Sequence, residues 1–177
     1  TSVEGVTFLV PFSVVNALTM TEGIIHTSST SVLNVGNPSL SPTAFINGNF
    51  GPTCYIDGPV SRVIGAGQNA IDLTNGSMFL EKFFFPVGKS SYTPIWVGVT
   101  TPGGGFDSPG ANIKVEAFET NLGSPSSNIA FLSQNRWEVS KTAGTVIDFN
   151  IRVADPNAIE SSIVVQSNAA TGVYDND

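Results

Sequence analysis

Lys82-Phe-Phe-Phe-Pro-Val-Gly-Lys89-Ser-Ser-Tyr-Thr-Pro-Ile-Trp-Val97 is the stretch on which the fold prediction is centred. Three consecutive aromatic residues run into Pro86 and Gly88, and a second apolar segment begins at Pro94. Proline and glycine between two apolar runs are typical of a compact turn between strands. The stretch therefore predicts two strands that fold back on each other, and it carries no catalytic motif.

The composition is typical of a secreted β-protein. Charged residues make up 12% of the 177 residues, against roughly 25% in ordinary soluble domains. The hydrophobic share of 41% is enough for a sizeable core, in one domain or two. The net charge is −7, and the seven basic residues are scattered from Arg62 to Arg152. Nucleic acid and anionic membranes are therefore not expected as partners.

The N-terminal third alternates apolar and polar residues. This pattern predicts extended structure over residues 3–20, with a bulge or sheet edge at Pro11. A second strand pair is predicted around Gly23, between Leu18-Thr-Met20 and Ile24-Ile25. Short strands separated by small polar turns suit either a sandwich or one or two coils of a β-solenoid. The alternating side chains that could join a neighbouring copy by strand addition are Val6, Phe8, Val10, Phe12 and Val14.

Three Gly- and Pro-rich segments divide the chain. Residues 36–53 form a predicted irregular insertion loop, and Asn75-Gly76 predicts a hairpin turn. Thr101–Gly110 is either a linker or an ordered loop. We therefore describe residues 1–100 as an N-terminal β-module and residues 111–177 as a C-terminal sandwich portion, which together form one domain or two.

The C-terminal part predicts strands at regular spacing. They cover residues 113–119, 137–139, 145–153 and 162–166, and residues 155–160 are predicted to hold a helical turn. The predicted fold is all-β: an antiparallel β-sandwich of Ig-like, Greek-key or jelly-roll type. A solenoid-like or second small β-domain in the N-terminal half is the alternative.

The sequence gives little support for any combination of residues that could form a catalytic site. The single histidine, His26, has no carboxylate neighbour in sequence beyond Glu22, and the single cysteine, Cys54, is predicted to be a buried, inert thiol. Glu116 and Glu119 differ by an odd number, so a regular strand places them on opposite faces, where they cannot act as a glycosidase pair. We therefore predict that the chain is not an enzyme.

Ligand-binding candidates are few. Trp96 and Trp137 stand in apolar strand contexts and are predicted to pack in the core, whereas the loop aromatics Tyr92, Phe50 and Phe106 are the candidates for stacking on a sugar. No cofactor is predicted. The C-terminal Asp175, Asn176 and Asp177 keep calcium as an alternative, because carboxylate and amide oxygens are calcium ligands.

Four motifs in order resemble a repeat module of very large secreted or surface adhesin-like proteins of the Bacteroidetes. They are Leu18-Thr-Met-Thr-Glu-Gly-Ile-Ile-His-Thr-Ser28 with Leu33-Asn-Val-Gly36, Asp57-Gly-Pro-Val-Ser-Arg62, Phe84-Phe-Pro-Val-Gly-Lys89 and Arg136-Trp-Glu-Val-Ser-Lys-Thr-Ala-Gly144. The resemblance covers most of the chain. It implies a surface-exposed, non-catalytic structural or adhesive unit.

Two functions follow as expectations. The first is an extracellular structural or adhesive β-module, either a repeat of a long surface protein or a filament subunit, whose partners are copies of itself or neighbouring repeats. The alternative is a carbohydrate-binding module of a secreted enzyme, with surface glycans as partners.

Because the chain opens at Thr1, we expect a processed product or a piece of a longer protein. No transmembrane helix is predicted, since the apolar run Val6–Val15 is broken by polar residues and Pro11.

Overall fold

The computed structural model describes residues 4–36, 45–64, 84–100, 111–145, 148–159 and 164–175. These residues form strands and turns without a helix, which confirms the all-β prediction. The strands are β1 (Gly5–Thr7), β2 (Phe12–Val14), β3 (Ala17–Met20), β4 (Gly23–His26), β5 (Leu33–Val35), β6 (Phe45–Gly48), β7 (Cys54–Asp57), β8 (Val60–Ile64), β9 (Phe84–Phe85), β10 (Val87–Gly88), β11 (Ile95–Thr100), β12 (Ala111–Phe118), β13 (Ser124–Pro125), β14 (Arg136–Ala143), β15 (Asp148–Val153) and β16 (Val173–Tyr174).

The first eight strands wind as successive coils. The first coil consists of β1, β2 and β3, the second of β4, β5 and β6, and the third begins with β7 and β8. Each strand pairs in parallel with its equivalent one coil later: β1 with β4 and β4 with β7, β2 with β5 and β5 with β8, and β3 with β6. This is the pairing of a short solenoid, in which each coil rests on the next.

Two local predictions for the first coils are confirmed only in part: the strands are present, but their breaks and partners differ. The extended segment 3–20 is divided into β1, β2 and β3 by bends at residues 9–10 and 15–16. The predicted pair around Gly23 is a corner, because β3 pairs with β6 while β4 pairs with β1 and β7. Part of the predicted insertion loop is also regular, since Phe45–Gly48 forms β6. Alternation shows that a segment is extended, but it does not reveal where a coil turns.

Most of the later strands pair in antiparallel fashion, although β10 pairs in parallel with β7, and β13 with β16. β11 lies between β9 and β15, with Phe85 opposite Ile95, so the predicted fold-back of the central stretch is confirmed. β12 lies between β8 and β14, and its residues are alternately buried and half-buried, which confirms the strand predicted at 113–119. The resulting five-stranded sheet has the order β14-β12-β8-β5-β2 and contains strands from both sides of Thr101–Gly110.

One hydrophobic cluster joins the coils to the antiparallel strands. In the coils, inward side chains stack in columns: Leu33 lies over Val60, and Val35 lies over the buried, charged Arg62. The antiparallel strands add Phe85, Ile95, Val97 and the inward residues of β12. The buried members are Met20, Leu33, Val35, Ile46, Cys54, Ile56, Val60, Phe85, Val87, Ile95, Val97, Ala111, Ile113, Val115 and Ala117.

Several predicted features lie outside the described residues. They are the Asn75-Gly76 turn, the Thr101–Gly110 segment and residues 162–163 of the strand predicted at 162–166, whose described residues 164–166 form no strand beyond a bridge between Gln166 and Asp175. Over the described part of the helical turn predicted at 155–160, the Ala158 amide donates to the Asp155 carbonyl at 3.0 Å, which closes a single turn that does not continue as a helix.

Candidate functional site

The first coil exposes a group of large apolar side chains at its outer edge. Val6, Leu9, Val10, Phe12 and Val15 have exposed fractions of 58%, 86%, 66%, 48% and 52%. We call these five residues the open-coil surface. Among the described residues, β1, β2 and β3 each pair with a strand of the second coil on one side, and no strand pairs with the other side. The first coil therefore ends in an uncovered apolar edge.

The stacking of the coils explains this exposure. Phe12 is in register with Leu33, which is in register with Val60, and the two inner residues have no exposed surface. A second column, Val6, Ile25 and Ile56, runs from exposed through half-buried to fully buried. Phe12 and Val6 thus occupy core positions that lack a cover on one side. Solenoids normally end in a polar capping unit for solubility, whereas the described residues of the first coil present apolar side chains at this edge.

The residues predicted for strand addition all lie in this first coil. Val6, Val10 and Phe12 belong to the open-coil surface, whereas Phe8 and Val14 are half-buried and pack against the core cluster. The Phe8 and Phe12 rings are 5.0 Å apart. Sequence reasoning missed Leu9 and Val15, because strict alternation assigned them to the other face of one continuous strand. They are exposed because the chain bends beside each of them.

A second candidate site is a groove of about 360 Å³ on the outer face of the sheet that contains β11. Tyr92, Pro94 and Trp96 line it; Tyr92 and Trp96 are half-buried, whereas Pro94 is buried like its neighbours Thr93 and Ile95. The other wall is the segment Ala154–Pro156, which follows β15. We call it the aromatic groove.

Asp155 brings a fixed carboxylate to the aromatic groove. It accepts hydrogen bonds from Ser133 Oγ at 2.6 Å, Asn135 Nδ2 at 2.8 Å and the Asn157 amide at 2.9 Å. Burial alone would raise the pKa of Asp155, but the hydrogen bonds from these three residues outweigh it and hold the pKa below its ordinary value. Asp155 is therefore an ionised acceptor at neutral pH.

Aromatic side chains connect the groove to the rest of the protein. The Trp96 ring lies 5.2 Å from the Phe84 ring, and Phe50 packs edge-on against Phe84 at 5.4 Å. The Arg152 guanidinium lies over Trp96 at 5.2 Å. Of the three predicted sugar-stacking residues, Tyr92 lines the groove, Phe50 lies behind it, and Phe106 is outside the described residues.

The two tryptophans occupy different environments. Trp137 is half-buried, packs against the core cluster and donates its indole N–H to the Thr93 carbonyl at 2.8 Å. Trp96 is also half-buried, but it lies at the groove, so sequence reasoning that assigned it to the core missed its exposed side. Its position two residues from Pro94 and four from Tyr92 was the available signal, since residues at even spacing share a strand face.

Tyr92 should titrate at unusually high pH. Burial raises its pKa to about 12, and the negative charge of ionised Cys54 adds to the effect. The folded state holds the Tyr92 phenol proton more tightly than the unfolded chain does. The resulting contribution to the free energy of unfolding is complete below pH 10 and is lost as the pH rises towards 12. In a near-ultraviolet absorbance titration, we expect Tyr92→Phe to remove a late ionisation step while earlier phenol ionisation stays. Loss of an early ionisation step instead of the late one would contradict the assignment of the high pKa to Tyr92.

Three polar side chains link adjacent coils on the outer face of the sheet that contains β4 and β7. Asp57 accepts from Lys89 Nζ at 2.6 Å, and its other oxygen lies 3.1 Å from His26 Nδ1. His26 and Asp57 are register partners on β4 and β7, and Lys89 follows β10. The carboxylate partner of His26 is therefore Asp57, which sequence reasoning missed because the two residues are 31 positions apart. This arrangement is an interstrand ladder.

Glu116 of β12 and Glu119, which follows β12, have separate partners. Glu119 accepts from the amide and hydroxyl groups of Ser90 and Ser91, and the Ser90 hydroxyl bond is the largest of the contributions that lower its pKa. Glu116 stands opposite Glu138 across β12 and β14. Burial, and then the charge of Glu138, raise the pKa of Glu116. Glu138 is also paired with Arg136 at 2.6 Å.

The predicted calcium ligands are described in part. Asp175 accepts from Ser126 Oγ at 3.1 Å and its backbone forms a bridge with Gln166, while Asn176 and Asp177 lie outside the described residues. Within the described ranges, no group of three or more His, Cys, Asp or Glu side chains could hold a metal ion. Calcium therefore stays a prediction.

Cys54 is buried as predicted, with 2% of its surface exposed. Burial raises the pKa of its thiol, and Glu22 adds to the effect. The thiol is therefore protonated and unreactive at neutral pH.

No protein-family model, curated protein or solved structure matches this chain. In the described part of the chain, no helix has the length and apolar character needed to cross a membrane.

Proposed function

We propose that this chain is a non-catalytic extracellular structural or adhesive β-module that associates with another β-coil through its open-coil surface. The observation that carries the proposal is the burial gradient from Ile56 through Ile25 to Val6, because it ends in core positions without a cover. The low charge and the resemblance to surface repeat modules support the extracellular assignment.

The partner that fits this edge is a second coil of the same kind, from another copy of the chain or from a neighbouring repeat. Residues 5–21 contain no charged side chain, although the whole chain has a net charge of −7, so two copies of this edge can approach without like-charge repulsion. Strand addition at β1, β2 and β3 would satisfy their unpaired backbone groups. An edge of this kind normally carries lysines or other charges that prevent pairing.

We further propose that the antiparallel strands form the sandwich predicted from sequence. The inward residues of β12, among them Ile113 and Val115, belong to the same core cluster as Ile95 and Val97 of β11. Two antiparallel sheets that share one apolar layer are the arrangement of a β-sandwich.

Association through the open-coil surface predicts that two added charges will disrupt it. We expect the wild-type chain to form assemblies in sedimentation velocity over a wide concentration range. The double variant Leu9→Lys/Val10→Lys should sediment as the 18.5 kDa monomer, because each pairing would bury two ammonium groups without partners. Both side chains are exposed, so the fold should be retained, and circular dichroism checks this.

The matched control is Leu122→Lys/Phe131→Lys, which places the same charges on exposed apolar residues outside the first coil. It should assemble like the wild type. A monomeric wild-type chain at every concentration would refute self-association. Equal loss of assembly in both double variants would show that the open-coil surface has no special role.

A further inference from the structure

We propose that the aromatic groove binds a neutral saccharide. The half-buried Tyr92 and Trp96 give one wall aromatic surfaces on either side of the buried Pro94, and Ala154 and Pro156 line the other wall. A pyranose ring has an apolar face of C–H groups and a rim of hydroxyl groups, and aromatic side chains with an apolar body and polar tip suit such ligands. The proposal is independent of the open-coil surface, since it uses different residues.

The polar groups around the groove favour hydroxyl groups as ligands. The Asp155 carboxylate accepts hydrogen bonds from Ser133, Asn135 and Asn157 and has acceptor capacity for about one more, and the Arg152 guanidinium over the Trp96 ring can only donate. A hydroxyl group serves both, because it donates and accepts. A proline-rich peptide also suits aromatic grooves, but its proline residues have no N–H group to offer Asp155.

The geometry of the groove is held from behind. Three hydrogen bonds fix the Asp155 carboxylate, and the Pro94 carbonyl accepts from the Ala154 amide at 3.0 Å, which ties the two walls together. Phe84 supports Trp96, and Tyr55 lies 6.2 Å from Tyr92. A site whose side chains are already positioned loses little conformational freedom when a ligand binds.

The charge of the protein selects among saccharides. The net charge is −7, and the acidic groups near the groove include Asp155. Polyuronates and sulfated glycans would therefore be repelled, whereas uncharged glucans, mannans and xylans would not.

Affinity electrophoresis and isothermal titration calorimetry of the full chain test this proposal. The probes are mixed-linkage β-glucan, mannan and xylan, with alginate as the anionic comparison and a proline-rich decapeptide as the alternative ligand. We expect one or more neutral polysaccharides to bind. Trp96→Ala should weaken that binding by about tenfold or more, because stacking residues at the centre of a site carry much of the affinity.

Two further variants keep the test decisive if Trp96→Ala fails to fold. Asp155→Asn removes the carboxylate charge while keeping the side-chain size, and Trp96→Phe keeps an aromatic face, so the first should weaken binding more than the second. The matched control Phe131→Ala removes an exposed aromatic ring outside the groove and should change affinity less than about twofold. Binding to none of the neutral polysaccharides would overturn the proposal. Saccharide affinity that Trp96→Ala and Asp155→Asn leave unchanged would overturn it too, as would binding of the decapeptide alone.

Discussion

Replacement of Arg62 by alanine is expected to lower the free energy of unfolding by about 4 kcal/mol. Arg62 has 3% of its surface exposed and occupies the core column that begins with Val14 and Val35. Its guanidinium donates to the Phe84 carbonyl at 2.6 Å and lies 5.7 Å from the centre of the Phe85 ring. Alanine would leave a cavity and remove the guanidinium that donates to the Phe84 carbonyl. Urea unfolding followed by circular dichroism measures the difference.

Two variants separate the causes of this loss. Arg62→Met fills most of the space but cannot donate, so it should cost about 2 kcal/mol, close to the penalty for an unsatisfied buried carbonyl. Lys141→Ala removes an exposed cation that contacts the Gly144 carbonyl and should cost less than about 0.5 kcal/mol. A loss below about 1 kcal/mol for Arg62→Ala would show that the core closes over the missing side chain.

Burial also lowers the pKa of Arg62 to about 10. A base whose pKa falls on folding binds its proton more tightly in the unfolded chain, so it destabilises the fold below pH 10 and less so as the pH rises above it. The buried cation is therefore costly in itself. The location of Arg62 at the junction of the third coil and β9 fits a role in positioning the Phe84 carbonyl.

The inward position of Arg62 was available from sequence. Val60 is apolar and precedes Arg62 by two residues, so a strand with Val60 inside must also place Arg62 inside. Treating Arg62 as one of several scattered basic residues concealed its inward position. The fold-back of the central stretch and the alternation of β12 were predictable for the same reason: both depend on local turn residues and period-two patterns.

The parallel coils were harder to predict, because their pairing joins segments that are distant in sequence. Gly5 pairs with Ile24, whereas Ile24 pairs with Tyr55, so the spacing between coils is irregular and gives no clear repeat. The same distance hides site partners. The register of β4 and β7 places Asp57 beside His26. Asp155 lies at the groove with Trp96 because it follows β15, which pairs with β11. The open-coil surface was predicted in part, since hydrophobicity is a property of the local sequence.

Replacement of Gly58 by alanine should be nearly as damaging as the loss of Arg62, at about 3 kcal/mol. Gly58 has a φ of 120° and forms the corner between β7 and β8. A Cβ atom there would clash with the Thr27 carbonyl oxygen, which is a backbone atom of the coil beneath. Relief of this contact would separate the corner from Thr27, whose amide donates to the Asp57 carbonyl at 2.9 Å and whose hydroxyl donates to the Pro59 carbonyl at 3.0 Å. The second and third coils would then lose contact at their shared corner.

Gly51→Ala is the matched control, because it makes the same chemical change in a turn of the same part of the chain. A Cβ atom at Gly51 has no heavy atom within 4 Å, so this variant should stay within about 0.5 kcal/mol of the wild type. Urea unfolding of both variants compares the strained corner directly with an open turn. Equal stability of the two would mean that the corner can shift away from Thr27 at little cost. A large loss confined to Gly58→Ala would indicate that close backbone contact between coils, and not apolar stacking alone, holds the solenoid together.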